Sequence, residues 1–291
     1  MKVHLATFYS FDLKRSVTRF KSQAEEMGVY DYIHLLNPND LNDDFKDYIS
    51  QLLKKGKTRG YGHWVWQTYI HQLILSKMNE GDIYHWCDVG CHFNKKGIWR
   101  LKEYIEIVEH DRNGCLFFSY KKPTLEKKFS KYNFPNNLEI EYTKTDLINY
   151  FNLNDSHEII LSPQVWGGSF FLRKCIISEN LMKEHFNITR NRYDLIDDDE
   201  SKFVENSYPE FKAHRHSQSI LSILAKKINC DFISAYESEW ALDESGQRTF
   251  DHLDNYPIIA RRDKKRNIFL RFIDRQKKNY RRRVAKLKKF L

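Results

Sequence analysis

The sequence predicts an α/β fold with a mostly parallel sheet covered by helices. Short apolar runs typical of strands alternate with segments in which apolar residues recur every three or four positions, beginning at residue 3. Strands separated by helices favour a parallel sheet, because each helix carries the chain back to the start of the next strand. With 291 residues and 41% hydrophobic content, the chain is long enough to bury one large core.

The first third of the chain supplies three strands with helices between them. We expect strands at 3–9, 32–36 and 83–87, each a short run rich in β-branched or aromatic residues. Helices are expected from residue 11 to Gly28, from about residue 40 to Gly56, and from residue 64 to 78. The first two end at a glycine, the usual residue after a helix C-terminus.

The remainder continues the alternation less regularly. We expect a helix at 95–108, a strand near 115–120, a strand at 161–172 that contains Gly167 and Gly168, and a helix at 214–228. Adjacent glycines in a strand indicate close approach of backbone or ligand, although a plain bulge is as common. The polar, acidic run at 187–209 is predicted to be a long surface loop, either a lid or solvated surface.

The positive charge is concentrated at the C-terminal end. The formal net charge is +9; residues 261–291 hold fifteen Lys and Arg and two Asp, a net of +13, which leaves −4 on residues 1–260. An acidic body disfavours a nucleic-acid groove, so we expect no nucleic-acid partner. We predict a main domain at 1–258 and a basic amphipathic helix at 259–291, since apolar residues recur there at helical spacing.

That helix is expected to lie on an anionic membrane surface, with packing on the domain or nucleic-acid binding as alternatives. The sequence has no apolar run of about 18 residues. Its N-terminal segment lacks the pattern of a signal peptide. The expected location is therefore the cytoplasm, peripheral on the inner face of the cytoplasmic membrane.

The five cysteines are predicted to be reduced core thiols. Their number is odd and they are scattered through apolar surroundings. A zinc site formed by Cys87 and Cys91 with His85 and His92 is the less favoured alternative, because no second Cys/His pair follows at ligand spacing.

Two segments in the first third of the chain suit the binding of phosphate or metal. The first is the run Arg59-Gly60-Tyr61-Gly62-His63-Trp64. Glycines at a helix start let backbone N–H groups approach a phosphate, and Arg59 can add charge. The second is Asp88, which follows the strand at 83–87 and precedes Gly90, His92 and Asn94. Ligands bind beyond the carboxyl ends of parallel strands, where Asp88 is expected to lie. The alternative for the first segment is a turn packed by aromatic residues, and the alternative for Asp88 is a helix cap.

Two later segments combine amides, glycines and imidazoles. The third segment is Ser162-Pro163-Gln164-Val165-Trp166-Gly167-Gly168. The fourth is His214-Arg215-His216-Ser217-Gln218-Ser219. Two imidazoles beside an amide can reach phosphate, metal or hydroxyl groups, and the alternative is a surface helix start capped by Ser217.

Together, the four segments resemble a family of bacterial glycosyltransferases of the GT-A fold from capsule and lipooligosaccharide synthesis loci. Members carry Arg-Gly-Phe/Tyr-Gly-Tyr/His-Trp, then an apolar strand closing in Asp-Ala/Val-Gly-Cys, then Pro-Gln before small residues, then His-Arg-His-Asp-Gln-Ser. The matching positions, in the same order, are 59–64, 88–91, 163–168 and 214–219. The similarity spans roughly residues 1–235.

The resemblance implies transfer of a sugar from a nucleotide-sugar donor, with a UDP-sugar favoured, to a glycan or lipid-linked glycan acceptor. The residues implied to bind the donor are Thr7, Phe8, Tyr9, Arg59, Tyr61, Gly62, Trp64, Gly167, Gly168 and His214. The residues implied in catalysis are Asp88, Gln164, His216 and Gln218. Sequence alone does not rank the further carboxylates Asp194, Asp197, Glu237 and Glu239.

The expected cofactor is a divalent cation, Mn²⁺ or Mg²⁺, because the leaving diphosphate must be neutralised. Asp88 stands where the family has Asp-X-Asp, but the residue two positions later is Gly90. We expect His92 or His216 to complete the metal site with Asp88, or Arg59 to replace the ion. Ser217 also departs from the family, which has Asp there. These departures leave a catalytically inactive homologue as an alternative, and the basic tail leaves a nucleic-acid-associated binding protein as another.

Overall fold

The computed structural model describes residues 1–123, 129–153, 158–199 and 208–261. Residues 1–261 form one compact unit. The basic amphipathic helix predicted for the tail lies outside the described residues, except for its first few positions.

The first third of the chain alternates strands and helices as predicted. Its elements are β1 (Val3–Phe8), α1 (Lys14–Met27), β2 (Tyr32–Leu36), α2 (Asp43–Lys54), the short turn α3 (Gly60–His63), α4 (Val65–Leu75) and β3 (Ile83–Cys87). Helix α1 ends at Gly28, which has φ of 64° and donates its N–H to Glu25. Glycine adopts this left-handed conformation without a Cβ clash, which explains the end of the helix.

The remaining elements are β4 (His92–Phe93), α5 (Ile98–His110), β5 (Cys115–Ser119), α6 (Glu139–Tyr142), α7 (Thr145–Tyr150), α8 (Glu158–Leu161), β6 (Val165–Arg173), α9 (Ile176–Asn191), α10 (Ser217–Lys227), β7 (Asp231–Ser234), β8 (Ala241–Leu242), β9 (Arg248–Thr249) and β10 (Ile258–Ile259). The strand expected at 161–172 begins only at Val165, because Leu161 is the last residue of α8 and residues 162–164 connect the helix to the strand. The surface loop expected at 187–209 was wrong in its first part. Helix α9 continues to Asn191, and the side chains of Leu195 and Ile196 beyond it are buried.

Six strands form the main sheet in the order β2-β1-β3-β6-β5-β7. Strand β1 pairs in parallel with β2 and β3, and β5 pairs in parallel with β7. Strand β6 is antiparallel to both β3 and β5. Five strands therefore share one direction, which confirms the predicted α/β fold with a mostly parallel sheet.

This shared direction brings the candidate segments to one edge of the sheet. The carboxyl ends of β1, β3, β5 and β7 meet there with the amino end of β6. Helix α4 precedes β3, and helix α10 precedes β7. Each of these helices returns the chain to the amino end of its strand, so the helix itself begins near the carboxyl ends of the strands. The first turns of both helices therefore lie at the same edge as the ends of β1 and β3.

Both faces of the sheet are buried. Alternate residues of a strand point to opposite faces, so the sheet separates two core clusters. Trp86, Phe117 and Phe170 belong to one cluster. Phe118 and Phe171 belong to the other.

Three further predictions bear on the whole chain. All five cysteines lie in described residues and are free and buried, as predicted. The helices of the described residues include none that is long and apolar enough to cross a membrane. The predicted domain boundary between 258 and 259 falls within β10, which pairs antiparallel with β4.

Candidate active site

Asp88 directly follows β3 and opens a tight turn at the carboxyl edge of the sheet. Its N–H donates to the carbonyl of Gly168 at 2.8 Å, and its carbonyl accepts from the N–H of Cys91 at 2.8 Å. Arg19 on α1 donates to the carbonyls of Val89 at 2.9 Å and Cys91 at 2.7 Å. Main-chain and guanidinium bonds therefore fix the turn that carries Asp88, and place it beside Gly168.

Gly167 and Gly168, at the start of β6, are packed by protein side chains. A Cβ on Gly168 would lie 2.4 Å from the Trp166 ring, and one on Gly167 would lie 3.2 Å from the Gln218 side chain. Gln218 accepts from the N–H of Gly167 at 3.1 Å, and Gln67 on α4 donates to its carbonyl at 3.2 Å. The space beside the two glycines is therefore occupied by side chains of the protein, those of Trp166 and Gln218.

Gln164 is a completely buried link between β6 and α10. Its amide nitrogen donates to Glu139 at 3.0 Å and to the Ser219 hydroxyl at 3.1 Å. Its amide oxygen accepts from Gln218 at 3.0 Å. These contacts favour a positioning role for Gln164 rather than the catalytic role expected from sequence.

Residues 60–64 form one turn of left-handed helix. All five have φ between 56° and 86°. The N–H groups of His63 and Trp64 donate four residues back, at 2.8 and 3.1 Å. The Tyr61 N–H donates to Thr58 at 3.2 Å. These three amides are bonded within the protein, so they would join the predicted phosphate cradle only by breaking or sharing these bonds.

The left-handed turn packs against the end of β1. The Trp66 indole donates to the Gly60 carbonyl at 2.9 Å, and its ring stacks on Phe8 with centroids 4.1 Å apart. Thr7 and Phe8 are buried, whereas Tyr9 is half-buried. Of these three residues, all predicted to bind the donor, Tyr9 therefore has the most exposed surface.

The His214–His216 segment anchors the chain that follows α9. His214 donates to the Leu195 carbonyl at 2.9 Å and accepts the Lys144 N–H at 3.1 Å. His216 donates from Nδ1 to the Ile196 carbonyl at 2.6 Å. Burial lowers the pKa of His214 to about 3 and also lowers the pKa of His216. Both nitrogens of His214 are thus engaged, and its predicted contact with the donor would require breaking one of these bonds.

His63, Asp198 and His216 converge beside the left-handed turn. In the part of the chain that the structure describes, they are the one group of at least three His, Cys, Asp or Glu placed to hold a metal, with ligand atoms all within 4.8 Å of one another. His63 Nε2 lies 3.6 Å from Asp198 Oδ2, and His216 Nε2 lies 3.7 Å from Asp198 Oδ1. Of the predicted ligands, His216 belongs to this group, whereas Asp88 and His92 do not.

Sequence reasoning missed His63 and Asp198 as partners of His216. His63 stands inside the first motif, where binding roles were assigned to its neighbours, and Asp198 stands in the acidic run predicted to be a lid or solvated surface. The sequence offered one signal for their approach, the opposite charges of the first motif and the acidic run. In the structure, Lys57 pairs with Asp199 at 2.7 Å, and Arg59 lies 3.5 Å from Asp198.

The four further carboxylates differ in their surroundings. Three are held in ion pairs: Asp194 with Arg192, Asp197 with Lys144, and Glu237 with Arg100. Glu239 is one of the charges that act on Cys91, which lies in the turn that begins at Asp88. The pKa of the buried Cys91 thiol is raised by its contact with Cys87, by burial, and further by the charges of Asp88 and Glu239. Glu239 also follows β7, whose carboxyl end lies at the Asp88 edge.

The sequence matches no family model and no curated protein. Among solved structures, the chain is similar to a glycosyltransferase involved in the glycosylation of the major capsid of PBCV-1. The identity is 11% and the TM-score 0.46, over 92% of this chain and 95% of the other.

Two further solved structures to which the chain is similar are also glycosyltransferases. Mouse xyloside xylosyltransferase 1 in its apo form is 9% identical with a TM-score of 0.40, over 82% of this chain and 87% of the other. The galactosyltransferase LgtC, in complex with donor and acceptor sugar analogues, is 9% identical with a TM-score of 0.41, over 81% and 75%. At this level of similarity, function has to come from the contacts of this chain's own residues.

Proposed function

We propose that the chain is a GT-A glycosyltransferase that moves a sugar from a UDP-sugar to a glycan acceptor in capsular polysaccharide or lipooligosaccharide synthesis. One observation carries the proposal: four segments far apart in sequence touch one another at the carboxyl edge of the sheet. Asp88 is bonded to Gly168, Gln218 is bonded to Gly167, and the His63 ring stacks on the His216 ring with centroids 4.5 Å apart. Ligands of open α/β sheets bind at such an edge.

Asp88 and Arg59 are assigned to the donor. Asp88 projects from the end of a buried strand, and the side chain of Arg59 is 58% exposed and lies over the Trp64 ring. A guanidinium matches a diphosphate in geometry and charge. Because Gly90 offers no carboxylate, the Asp88 turn by itself does not make a two-carboxylate metal site. The cluster of His63, Asp198 and His216 is suited to hold a cation instead. That cation would add positive charge to balance the leaving diphosphate.

Glu239 is assigned to the acceptor. With Ser217 in place of the family's Asp, the start of α10 has no carboxylate, so an inverting transfer needs its base from elsewhere. Glu239 follows β7, whose carboxyl end lies at the same edge of the sheet as Asp88, and this supports a position near the donor site.

The acceptor is proposed to be a lipid-linked glycan at the inner face of the cytoplasmic membrane. The net charge of +13 on residues 261–291 supports attraction to an anionic surface, where each basic residue contributes roughly 1 kcal/mol. The net charge of −4 on residues 1–260 disfavours nucleic acid as a partner of the main domain.

The proposal is tested by thermal shift of the full chain with UDP, GDP, CMP and UDP-sugars. A ligand present at about 100 times its Kd stabilises the folded state by about 2.7 kcal/mol, which raises Tm measurably. We expect UDP and UDP-sugars to produce the shift. Asp88→Asn should remove it, and Asp44→Asn, an exposed carboxylate on α2, should leave it unchanged.

Glu239→Gln separates binding from turnover. The variant should keep the nucleotide shift and lose about 10² to 10⁴ in kcat, the usual contribution of a general base. Absence of a shift with every nucleotide would contradict the proposed function. A shift retained by Asp88→Asn would place the donor elsewhere, and normal turnover by Glu239→Gln would remove that residue from the mechanism.

A further inference from the structure

The cluster of His63, Asp198 and His216 joins three elements that are remote in sequence. His63 lies in the left-handed turn, Asp198 follows α9, and His216 directly precedes α10. The side chains of His63 and His216 are 4% and 3% exposed, whereas that of Asp198 is 40% exposed. Two buried imidazoles therefore face one carboxylate that reaches solvent.

We infer that His63, Asp198 and His216 bind one divalent transition-metal ion through their two Nε2 atoms and a carboxylate oxygen. Ligands of one ion bound at about 2.1 Å lie about 3 to 3.5 Å apart. The two nitrogen-to-oxygen distances of 3.6 and 3.7 Å are slightly longer. All three ligand atoms lie within 4.8 Å of one another, so small movements of these side chains would bring them to one ion.

The strongest support is the state of His216 Nε2. This atom is buried and has no hydrogen-bond partner in the described residues. Its distance of 3.7 Å from Asp198 is too long for a hydrogen bond. Leaving a polar atom buried and unsatisfied costs about 1 to 3 kcal/mol, and a metal ion at this position would satisfy it.

The opposite nitrogen of each imidazole is held as expected for a metal ligand. His216 Nδ1 donates to the Ile196 carbonyl at 2.6 Å. His63 Nδ1 lies 2.9 Å from the Tyr193 hydroxyl. Metal-bound imidazoles almost always use the second nitrogen in this way, because the bond fixes the ring and the tautomer that exposes the ligating lone pair. Both rings therefore turn Nε2 toward Asp198.

The donor set decides which ions fit. Two imidazoles and one carboxylate suit Mn²⁺, Fe²⁺, Co²⁺ and Zn²⁺, whereas Mg²⁺ and Ca²⁺ prefer oxygen ligands only. Three protein ligands leave coordination positions open, as in metal sites that bind a further ligand. Arg59 lies 3.5 Å from Asp198 with an exposed side chain, so the open side suits an oxyanion such as a phosphate group.

The inference is tested on the full chain after removal of metal with EDTA, without any sugar donor. Binding of Mn²⁺ is read from the loss of the free-ion electron paramagnetic resonance signal, and Zn²⁺ and Mg²⁺ are compared by titration calorimetry. We expect one Mn²⁺ or Zn²⁺ per chain, and binding of Mg²⁺ at least about tenfold weaker.

Two variants make the test specific. Asp198→Asn should weaken Mn²⁺ binding at least about tenfold, and Tyr193→Phe, which removes the partner of His63 Nδ1, about 10- to 100-fold. Asp199→Asn is the matched control, because this neighbouring carboxylate pairs with Lys57 and not with the histidines. Circular dichroism checks that each variant is folded.

Wild-type chain that binds no stoichiometric Mn²⁺ or Zn²⁺ would overturn the inference, as would Asp198→Asn with wild-type affinity. Because the readout needs no donor or acceptor, a negative result here leaves glycosyl transfer untouched. A failed nucleotide shift, in turn, leaves metal binding untouched.

Discussion

At the scale of single residues, the first motif depends on a backbone conformation that most side chains avoid. A non-glycine residue in left-handed helix costs about 1 to 2 kcal/mol, and Tyr61, His63 and Trp64 all adopt it. Surrounding contacts must compensate, among them the bond from Trp66 to Gly60. Strain of this kind concentrates at functional sites, where it places side chains such as His63 that an ordinary helix start would point elsewhere.

Gly60→Ala is predicted to destabilise the protein more than a left-handed glycine elsewhere. Gly60 has φ of 58°, and a Cβ there would lie 2.4 Å from the Trp64 ring. Gly28 has nearly the same φ, 64°, with nothing within 4 Å of its added Cβ. Gly28→Ala should therefore cost about 1 kcal/mol from the backbone alone, and Gly60→Ala at least about 2 kcal/mol.

Urea denaturation of both variants measures the difference. Equal losses would show that the Trp64 ring moves aside without cost. In that case, the turn is less rigid than its contacts indicate.

The residue scale also shows where sequence reasoning stops. The position of Asp88 at the end of β3 was predictable, because a strand's end can be read from a short apolar run followed by Asp-Val-Gly. Asp198 was not, because its role arises only when residues 63 and 216 approach it in space. The left-handed turn was also hidden: glycines at 60 and 62 indicate a turn, but only packing forces their neighbours to adopt the same conformation.

At the scale of elements, a buried carboxylate ties α6, β6 and α10 together. Glu139 is fully buried and accepts from Lys226 at 2.9 Å, from Thr143 at 2.7 Å and from Gln164 at 3.0 Å. Through Gln164 it also supports Gln218, the residue that contacts Gly167. The polar network therefore fixes the first turn of α10 relative to the start of β6.

Lys226→Met is predicted to lower the free energy of unfolding by about 3 to 5 kcal/mol, because it leaves the charge of Glu139 buried and unpaired. Lys227→Met is the matched control on the same helix: Lys227 is exposed and lies 5.2 Å from the Phe151 ring, so its loss should cost about 1 kcal/mol or less. Denaturant titration checks both. Similar losses for the two lysines would show that the network contributes little.

A second element-scale prediction concerns β1 and β2, where His4 and His34 stack with ring nitrogens 3.1 Å apart. The pKa of His34 is lowered to about 4 by burial, and further by the charges of His4 and Lys77. Since 6.5 is its ordinary value, the unfolded chain binds this proton more strongly. Stability is therefore full above pH 6.5, falls between pH 6.5 and 4, and changes no further through this group below pH 4.

His34→Gln should reduce that loss. The shift corresponds to about 3 kcal/mol if undiminished, and solvent around the half-buried ring reduces it to about 1 to 2 kcal/mol. Denaturation at pH 7 and pH 5 compares the variant with wild type. His4, whose pKa is also lowered by burial and is raised in part by Asp82, remains in both proteins. An unchanged pH dependence would assign the acid sensitivity to other buried histidines.

At the scale of the whole molecule, the direction of the strands was the most predictable property. Alternating strands and helices require parallel pairing, and parallel pairing brings strand ends to one edge. The reversal of β6 was not predictable, because its run of apolar residues reads the same in either direction. That reversal matters, since it puts the amino end of β6, with Gly167 and Gly168, beside the carboxyl end of β3.

The basic tail gives the last prediction. Residues 1–261 form a compact unit, so truncation there should leave the nucleotide-dependent thermal shift intact. The full chain should sediment with anionic vesicles, more weakly in high salt and not with neutral vesicles, because its attraction is electrostatic. The 1–261 chain should stay in solution.

Equal sedimentation of both chains would show that the tail does not bind the membrane. Retention of the full chain by nucleic acid alone would show that the tail is a nucleic-acid-binding arm. If the vesicles retain only the full chain, the net charge of +12 on residues 262–291 delivers an acidic domain to an anionic surface that would otherwise repel it.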